Sequence, residues 1–174
     1  MIGIVSGTNR REALSPKIAE YYKQLLDSEG AATEIIDLRD LPEDFAFSAL
    51  YDQKGKNPDF QEFQDRVNRC EKYVFIVPEY NGSFPGVLKA FIDGLQYPKS
   101  FKGKKAAIVG LSSGSQGGAL GMSHLVDIFN YLGMHVLARR PRLSNLESSF
   151  QNGEFSNKSY GDQLKQQAKE LNSF

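Results

Sequence analysis

The sequence of 174 residues predicts an α/β protein with a parallel sheet, and three observations support that fold class. Short runs of β-branched and aromatic residues alternate with longer segments whose apolar residues recur at helical spacing. The strongest run, 73–77, is apolar throughout, as expected for a strand that is covered on both faces. Helical segments stand between the strand-like runs, which indicates a parallel sheet with helices on both faces.

The predicted elements begin with a strand over 2–6 and a helix from about Ser15. Ser15 can cap that helix, and Pro16 suits its first turn because proline needs no amide partner there. Gly30 ends the helix, before a second strand over Thr33–Asp37. After an ambiguous segment, 38–57, the predicted elements are a helix from about Asn57 to Cys70, a strand over 73–77, a helix that Pro85 opens, a strand over Ala106–Leu111, a helix that stops at Gly133, a short strand over Met134–Leu137 and a last helix near 158–172.

Right-handed crossovers leave few arrangements for five such strands, and we favour the order 2-1-3-4-5. In that order the ligand crevice lies at the carboxyl ends of the strands, beside the switch point between strands one and three. Three connections meet there: 7–14, 78–84 and 112–118, called below the first, second and third loops. The segment 38–57 is longer than a typical connection, and we expect a functional loop or rim there.

Composition excludes several classes of function. Twenty-one Lys and Arg against twenty-one Asp and Glu give no net charge, so we expect no nucleic-acid or membrane partner. No apolar run reaches the roughly 18 residues of a membrane span, and the N-terminus does not resemble a signal peptide. The lone Cys70 fits a reducing compartment, and with His124 and His135 it forms no recognisable metal motif. We therefore expect one cytoplasmic domain over 1–174, without a metal.

The first loop has the composition of an anion site. Ser6, Thr8, Asn9 and Arg10 precede a helix N-terminus, where free amides and the helix dipole favour negative charge. Arginine adds a donor suited to phosphate. A solvated turn with capping side chains is the alternative. The spacing does not match a dinucleotide fingerprint or a P-loop.

The second loop combines aromatic residues, glycines, prolines and short polar side chains between Pro78 and Gly86. Such a loop can lie along the edge of a flat polar heterocycle while a ring covers one face. A tight turn with a structural Asn81 is an equally good interpretation. The third loop, with Gly114, Gly117 and Gly118, also allows a nucleotide-binding glycine turn, although that motif belongs in the first βα turn.

Residues 78–93, Pro-Glu-Tyr-Asn-Gly-Ser-Phe-Pro-Gly-Val-Leu-Lys-Ala-Phe-Ile-Asp, resemble the central signature of the NAD(P)H-dependent FMN reductase family. Gly-Thr-Asn-Arg at 7–10, followed by Ser15, resembles the phosphate segment of that family, and 112–118 resembles its last glycine-rich segment. The resemblance holds in register from residue 2 to about 137. It implies a flavodoxin-like, three-layer αβα fold around a five-stranded parallel sheet of order 2-1-3-4-5.

The resemblance also implies a set of FMN-binding residues. Three of them hold the phosphate, six line the isoalloxazine ring largely through backbone amides, and two close the other side. In that order they are Thr8, Arg10 and Ser15; Pro78, Glu79, Tyr80, Asn81, Gly82 and Ser83; and Ser112 and Gly114.

By the same resemblance, NADPH or NADH gives a hydride to FMN and leaves, and a small acceptor then takes the electrons at the same face. The acceptor is a flavin, quinone, azo compound or metal ion, and the flavin carries the chemistry, so no catalytic side chain is expected. The family implies a homodimer or homotetramer. The alternatives are a flavodoxin-type electron carrier that a protein partner reduces, and a flavodoxin-like binding module without catalysis. Arg10, Arg11 and the neutral charge disfavour the carrier.

Other conspicuous residues have ordinary interpretations. We expect Cys70 to be structural, and His124 and His135 to lie on the surface or in structural positions. The basic segment 139–142 fits NADPH phosphates, a subunit contact or a solvated strand end. The apolar side chains of the segment 38–57 either roof the flavin, pack on a partner subunit or pack locally; they are Phe45, Phe47, Leu50 and Tyr51.

Overall fold

A computed structural model describes residues 1–174 and contains the predicted parallel sheet. Five strands have the order β2-β1-β3-β4-β5, and every neighbouring pair is parallel. The predicted strand order is therefore confirmed, and it is the flavodoxin-like doubly wound order. The strands are β1 (Ile2–Ser6), β2 (Thr33–Asp37), β3 (Lys72–Pro78), β4 (Lys105–Leu111) and β5 (His135–Val136).

Helices cover both faces of the sheet. The seven α-helices are α1 (Ser15–Ser28), α2 (Phe45–Ser48), α3 (Pro58–Arg69), α4 (Gly86–Gly94), α5 (Ala119–Tyr131), α6 (Leu146–Ser149) and α7 (Lys158–Ser173). Val74 and Ile76 of β3 pack with α1 and α7, whereas Phe75 and Val77 pack with α3, α4 and α5. Alternate residues of β3 thus enter two separate cores, which explains why the strand is apolar throughout. None of the helices combines the length and apolar character needed to cross a membrane.

The fifth strand differs from its prediction. It is only two residues long, and a sixth strand, β6 (Arg142–Leu143), pairs with the far end of β4. From Ala106 to Gly110 β4 advances four residues, while the edge chain uses six from Val136 to Arg142, so two extra residues bulge out. Proline has no N–H for the ladder, and Pro141 lies within this excursion.

Two segments that the sequence left without structure are ordered. The segment 38–57 holds α2 between 3-10 turns at Leu38–Asp40 and Tyr51–Gln53. Phe45 of α2 is buried against α3 and α4, whereas Phe47 is 86% exposed. The stretch after β6 forms α6 and a hairpin of β7 (Phe150–Gln151) and β8 (Glu154–Phe155).

Helix α1 begins at Ser15, as predicted, but Ser15 does not cap it. Leu14 occupies the capping position, and Ser15 is the first helical residue. The hydroxyl of Ser15 is buried and has no hydrogen-bond partner, so the prediction that Ser15 caps the helix is wrong. The capping prediction fails because a cap must stand one residue before the helix, where its side chain can reach the first-turn amides.

Candidate functional site

A cleft of about 100 Å³ opens at the carboxyl ends of β1, β3 and β4, where the switch-point rule places a ligand. All three loops contribute to its walls. Six of the eleven predicted site residues line it: Arg10, Ser15, Pro78, Glu79, Tyr80 and Ser112. The other five, Thr8, Asn81, Gly82, Ser83 and Gly114, lie outside its lining.

The first loop presents several hydrogen-bond donors that the protein itself does not use. The buried hydroxyl of Ser15 has no partner, and the backbone N–H groups of Leu14, Ser15 and Lys17 have no acceptor. The Arg10 guanidinium forms no ion pair. A buried hydroxyl without a partner costs free energy, so this end of the cleft fits an anion that accepts several hydrogen bonds.

Thr8 connects the first loop to the second instead of facing the cleft. It is completely buried, and its Oγ1 lies 2.8 Å from the Tyr80 hydroxyl. The same oxygen accepts a 3.3 Å hydrogen bond from the backbone N–H of Arg10. Thr8 therefore fixes the positions of two lining residues, one on each side of the cleft.

The second loop is a tight turn centred on Asn81 and Gly82. Tyr80 and Ser83 exchange backbone hydrogen bonds of 2.8 and 3.0 Å, and the φ angles of Asn81 and Gly82 are 51° and 74°. Two successive positive φ angles describe a type I′ turn, for which Asn-Gly is the preferred pair. The N–H groups of Asn81 and Gly82 have no acceptor in the protein, so they remain available to a ligand.

Helix α5 supports the second loop from behind. The Ser83 hydroxyl lies 2.9 Å from Nδ1 of His124, and a Cβ on Gly121 would approach the Ser83 carbonyl carbon to 2.8 Å. His124 is thus exposed yet bound to a predicted site residue. No sequence pattern indicates this contact, because 41 residues separate the two side chains.

The third loop is held together by its own hydrogen bonds. The Ser112 hydroxyl donates to the Gly114 carbonyl at 2.7 Å and accepts from the Gly117 N–H at 2.8 Å. The Ser112 N–H donates to the Leu143 carbonyl at 3.0 Å. Ser112 therefore shapes the wall of the cleft with groups that are already occupied, and Gly114 lies exposed beyond it.

Two lining residues come from a part of the chain that sequence reasoning treated as uninformative. Leu146 and Glu147 of α6 reach the cleft because the Leu146 N–H bonds to the Ser112 carbonyl at 3.1 Å. The carboxylates of Glu12, Glu79 and Glu147 line the cleft against the single cation of Arg10. None of them forms an ion pair, so the cleft combines one unpaired cation with three acidic groups.

Cys70 lies far from this cleft. Its side chain is buried, its Sγ lies 3.4 Å from the Arg66 carbonyl, and burial raises the pKa of the thiol. A protonated, buried thiol behaves as a small apolar group, in agreement with the structural role predicted for Cys70.

Comparison with known proteins identifies relatives. The family described as NADPH-dependent FMN reductase matches residues 1–144. A quinone reductase of Pseudomonas putida KT2440 is 31% identical over 128 residues, which are 72% of this chain and 66% of that protein. A 2-hydroxy-1,4-benzoquinone reductase of a Burkholderia species is 32% identical over 82% of this chain and 76% of that protein. The structure of the flavoenzyme NAD(P)H:(acceptor) oxidoreductase FerB from Paracoccus denitrificans aligns with a TM-score of 0.80 at 22% identity, covering 98% of this chain and 93% of that chain.

Proposed function

Because the chain belongs to the NADPH-dependent FMN reductase family, we propose that it is an FMN-dependent oxidoreductase that takes a hydride from NAD(P)H. The electrons pass to a small acceptor: a flavin, quinone, azo compound or metal ion. The names of the two relatives favour a quinone. The observation that carries the proposal is the convergence of Arg10 and Ser15 with Pro78–Tyr80 and Ser112 around one cleft.

The phosphate of FMN fits the end of the cleft that the first loop forms. Arg10 supplies a bidentate cationic donor, and the unpartnered Ser15 hydroxyl and the free amides at the start of α1 supply further donors. A volume of about 100 Å³ is below the roughly 300–1,000 Å³ of ordinary ligand pockets, so the cleft encloses only one end of a nucleotide.

The isoalloxazine ring would then lie across the second loop, with one face open. Asn81 and Gly82 offer free N–H groups to its polar edge, while Tyr80, held by Thr8, stands at the junction with the phosphate end. Rigid backbone donors stabilise negative charge on a polar edge without rearranging. Glu79 lines the wall of the cleft.

The bound flavin supplies the redox chemistry, so no side chain of the cleft has to act as a nucleophile, acid or base. The role of the chain's own residues is to bind FMN and to orient it. They would hold the phosphate, align the ring edge with backbone amides and leave a face to which substrates have access. If only one face is open, NAD(P)H would have to leave before the acceptor binds, which would give ping-pong kinetics.

The test is an anaerobic visible spectrum of the FMN-loaded protein before and after one equivalent of NADPH, repeated with NADH. We expect the oxidised-flavin band to disappear and to return when a quinone is added. A flavin band that persists with both nucleotides would instead indicate an electron carrier that a protein partner reduces. A chain that does not bind FMN would refute the flavin assignment and leave a binding module.

We further propose that residues 1–174 form one FMN-binding domain that assembles in the cytoplasm as a homodimer or homotetramer. The single cysteine suits a reducing compartment.

Tyr97 and Tyr131 are 68% and 81% exposed, and they border a groove of about 440 Å³ between α4 and α5. Its other apolar lining residues are Ile92, Leu95, Ile128 and Leu132. Exposed apolar patches of this kind mark interaction sites.

Sedimentation analysis tests the assembly. We expect a dimer or tetramer at micromolar concentration and a shift toward monomer in Tyr131→Glu, because burying the new carboxylate in the contact would cost its hydration free energy. The substitution Phe174→Glu, at an exposed aromatic residue after α7 and outside the groove, is the matched control. A monomeric wild-type protein would rule the assembly out.

A further inference from the structure

A second cavity, of about 440 Å³, lies between α5 and the chain that follows β5. Two arginines, Arg140 and Arg142, line it together with residues of α5, including Ser123. The neighbouring Arg139 contacts the other layer, where its Nε donates to the Glu170 carboxylate of α7 at 2.9 Å. The basic segment is therefore divided: one arginine is paired on the α7 side, and two arginines face the α5 side.

The two arginines of this cavity have no partner in the protein. Neither guanidinium forms an ion pair or a hydrogen bond. Asp127 is the only carboxylate of the lining, and it also lines the groove on the α4 side of its helix. The cavity thus has two cations and one acid. Two unpaired guanidinium groups beside one cavity suit a phosphate monoester, which they can bind through several N–H donors at once.

The backbone holds Arg142 rigidly beside the third loop. It pairs with Gly110 of β4 in β6, and a Cβ on Gly117 would approach the Arg142 Cβ to 2.6 Å. Ala119, the first residue after the third loop, lines the cavity as well. A site built on a paired strand and a close backbone contact has little freedom to move away from a ligand.

Two short segments of the chain connect this cavity with the proposed FMN cleft. One runs from Ser113 in the cleft to Ala119 in the cavity, and the other from Arg142 in the cavity to Leu146 in the cleft. At 3.3–3.6 Å per residue, the four steps from Arg142 to Leu146 span at most about 14 Å. The second loop, where the ring would lie, is close to the cavity as well, because Gly121 packs against Ser83 and the next residues of α5, Met122 and Ser123, line the cavity. A dinucleotide whose nicotinamide lies at the second loop could extend its adenosine half along the start of α5 into the cavity.

We propose that Arg140 and Arg142 bind the 2′-phosphate of NADPH and give the enzyme a preference for NADPH over NADH. This inference rests on the proposed function, since it assigns the second half of the same reductant. NADPH and NADH differ only in the 2′-phosphate. The two arginines therefore change the relative affinity for the two nucleotides and leave hydride transfer itself unchanged.

The first test compares kcat/KM for NADPH and for NADH in Arg140→Ala, Arg142→Ala and Arg139→Ala. Hydrogen bonds to a charged group are strong enough that each of the first two substitutions should lower the NADPH-to-NADH ratio about tenfold or more. Arg139→Ala removes the same charge from the adjacent residue but on the α7 side, so it should preserve the ratio. An unaltered ratio in the double variant Arg140→Ala/Arg142→Ala would overturn the proposal.

The second test needs no activity and no flavin reduction. Isothermal titration calorimetry compares 2′,5′-ADP with 5′-AMP, first on the FMN-loaded chain and then on the double variant Arg140→Ala/Arg142→Ala. We expect 2′,5′-ADP to bind the wild-type chain at least tenfold more tightly than 5′-AMP and to lose that advantage in the double variant. Equal affinities of the two ligands for the wild-type chain would refute the site. An equal loss in Arg139→Ala would reduce the advantage of 2′,5′-ADP to general charge attraction and would refute the site as well.

The two proposals fail in different ways. If NAD(P)H does not bleach the flavin while 2′,5′-ADP still binds through Arg140 and Arg142, the reductase function is wrong and the phosphate site remains. If the flavin is bleached equally well by both nucleotides in every variant, the function holds and the site is refuted. Asp127→Asn is an additional test with the opposite expected sign. It removes the only carboxylate of the cavity, so the preference for NADPH should rise.

Discussion

The first and third loops have equivalent places in the fold but opposite hydrogen bonding. Both follow a parallel strand and lead into a helix. Directly after the first loop, at the start of α1, the buried Ser15 hydroxyl has no partner. In the third loop, the Ser112 hydroxyl both donates to Gly114 and accepts from Gly117. A small polar residue near a switch point can therefore serve a ligand or the loop itself, and its partners decide which.

This difference gives the two serines different expected roles. A buried donor without a partner destabilises the free protein and gains a partner when an anion binds, so Ser15 fits a binding residue. A serine whose hydroxyl already has both its hydrogen-bond partners within the protein stabilises the loop and its conformation. Ser112 therefore fits a scaffold residue. Substitutions in the two loops should accordingly change different measured quantities.

The largest effect on FMN affinity is expected from Arg10→Ala. Hydrogen bonds to a charged group contribute roughly 1.5–3 kcal/mol, so the dissociation constant of FMN should rise about 10- to 150-fold. Fluorescence titration of the FMN-free protein measures it. The control is Arg11→Ala, which removes the same charge from the next residue, outside the cleft lining. Equal affinities for wild type and Arg10→Ala would move the phosphate site away from the first loop.

Ser112→Ala should lower the free energy of unfolding by about 1–3 kcal/mol, because the buried N–H of Gly117 loses its acceptor. Urea denaturation of the FMN-free protein measures the change. Ser113→Ala, in the same loop but with a side chain that makes no hydrogen bond, is the control. Wild-type stability in Ser112→Ala would show that the loop does not depend on this hydroxyl.

Ser15→Ala should show the opposite pattern. It removes a hydroxyl without a partner, so the stability of the FMN-free protein should stay the same or rise. The affinity for FMN should fall about tenfold, corresponding to one hydrogen bond at the lower end of the charged range. The same titration and denaturation experiments measure both quantities. A loss of stability without a loss of affinity would place Ser15 with the scaffold residues.

The smallest effect is expected from Glu147→Gln, which removes one of the three carboxylates of the cleft. Exposed charge pairs are worth roughly 0.2–1 kcal/mol, so FMN should bind up to about fivefold more tightly at low salt. High salt should abolish the gain through screening. Glu154→Gln, a carboxylate outside the cleft, is the comparison. A gain that persists at high salt would have to come from something other than charge.

The sequence predicts those parts of the fold that depend on neighbouring residues. The strands β1 and β2 begin and end at the predicted residues, and the Asn-Gly pair at 81–82 explains the turn of the second loop. The break between β5 and β6 escaped prediction, because its register is set by pairing with β4 and not by local pattern.

The candidate site shows the same limit. Arg10 and Ser15 lie at the start of a helix and Pro78–Tyr80 follow the strongest strand, and the resemblance to the FMN reductase family implies that they are site residues. The contacts that organise them, Thr8 to Tyr80 and Ser83 to His124, join residues 72 and 41 positions apart. No periodicity or local motif predicts a contact between residues so far apart in the sequence. Leu146 and Glu147 of α6 line the cleft as a result of the path that the chain takes after β6, which no local pattern predicts.

The two extra residues between β5 and β6 have a consequence for how copies of the protein meet. An uninterrupted edge strand offers a row of free N–H and C=O groups on which another chain can add a strand. The bulge with Pro141 breaks that row in the middle, leaving two pairs of edge residues too short to seed a shared sheet. The irregularity that carries the arginines therefore also protects this side of the molecule from aggregation.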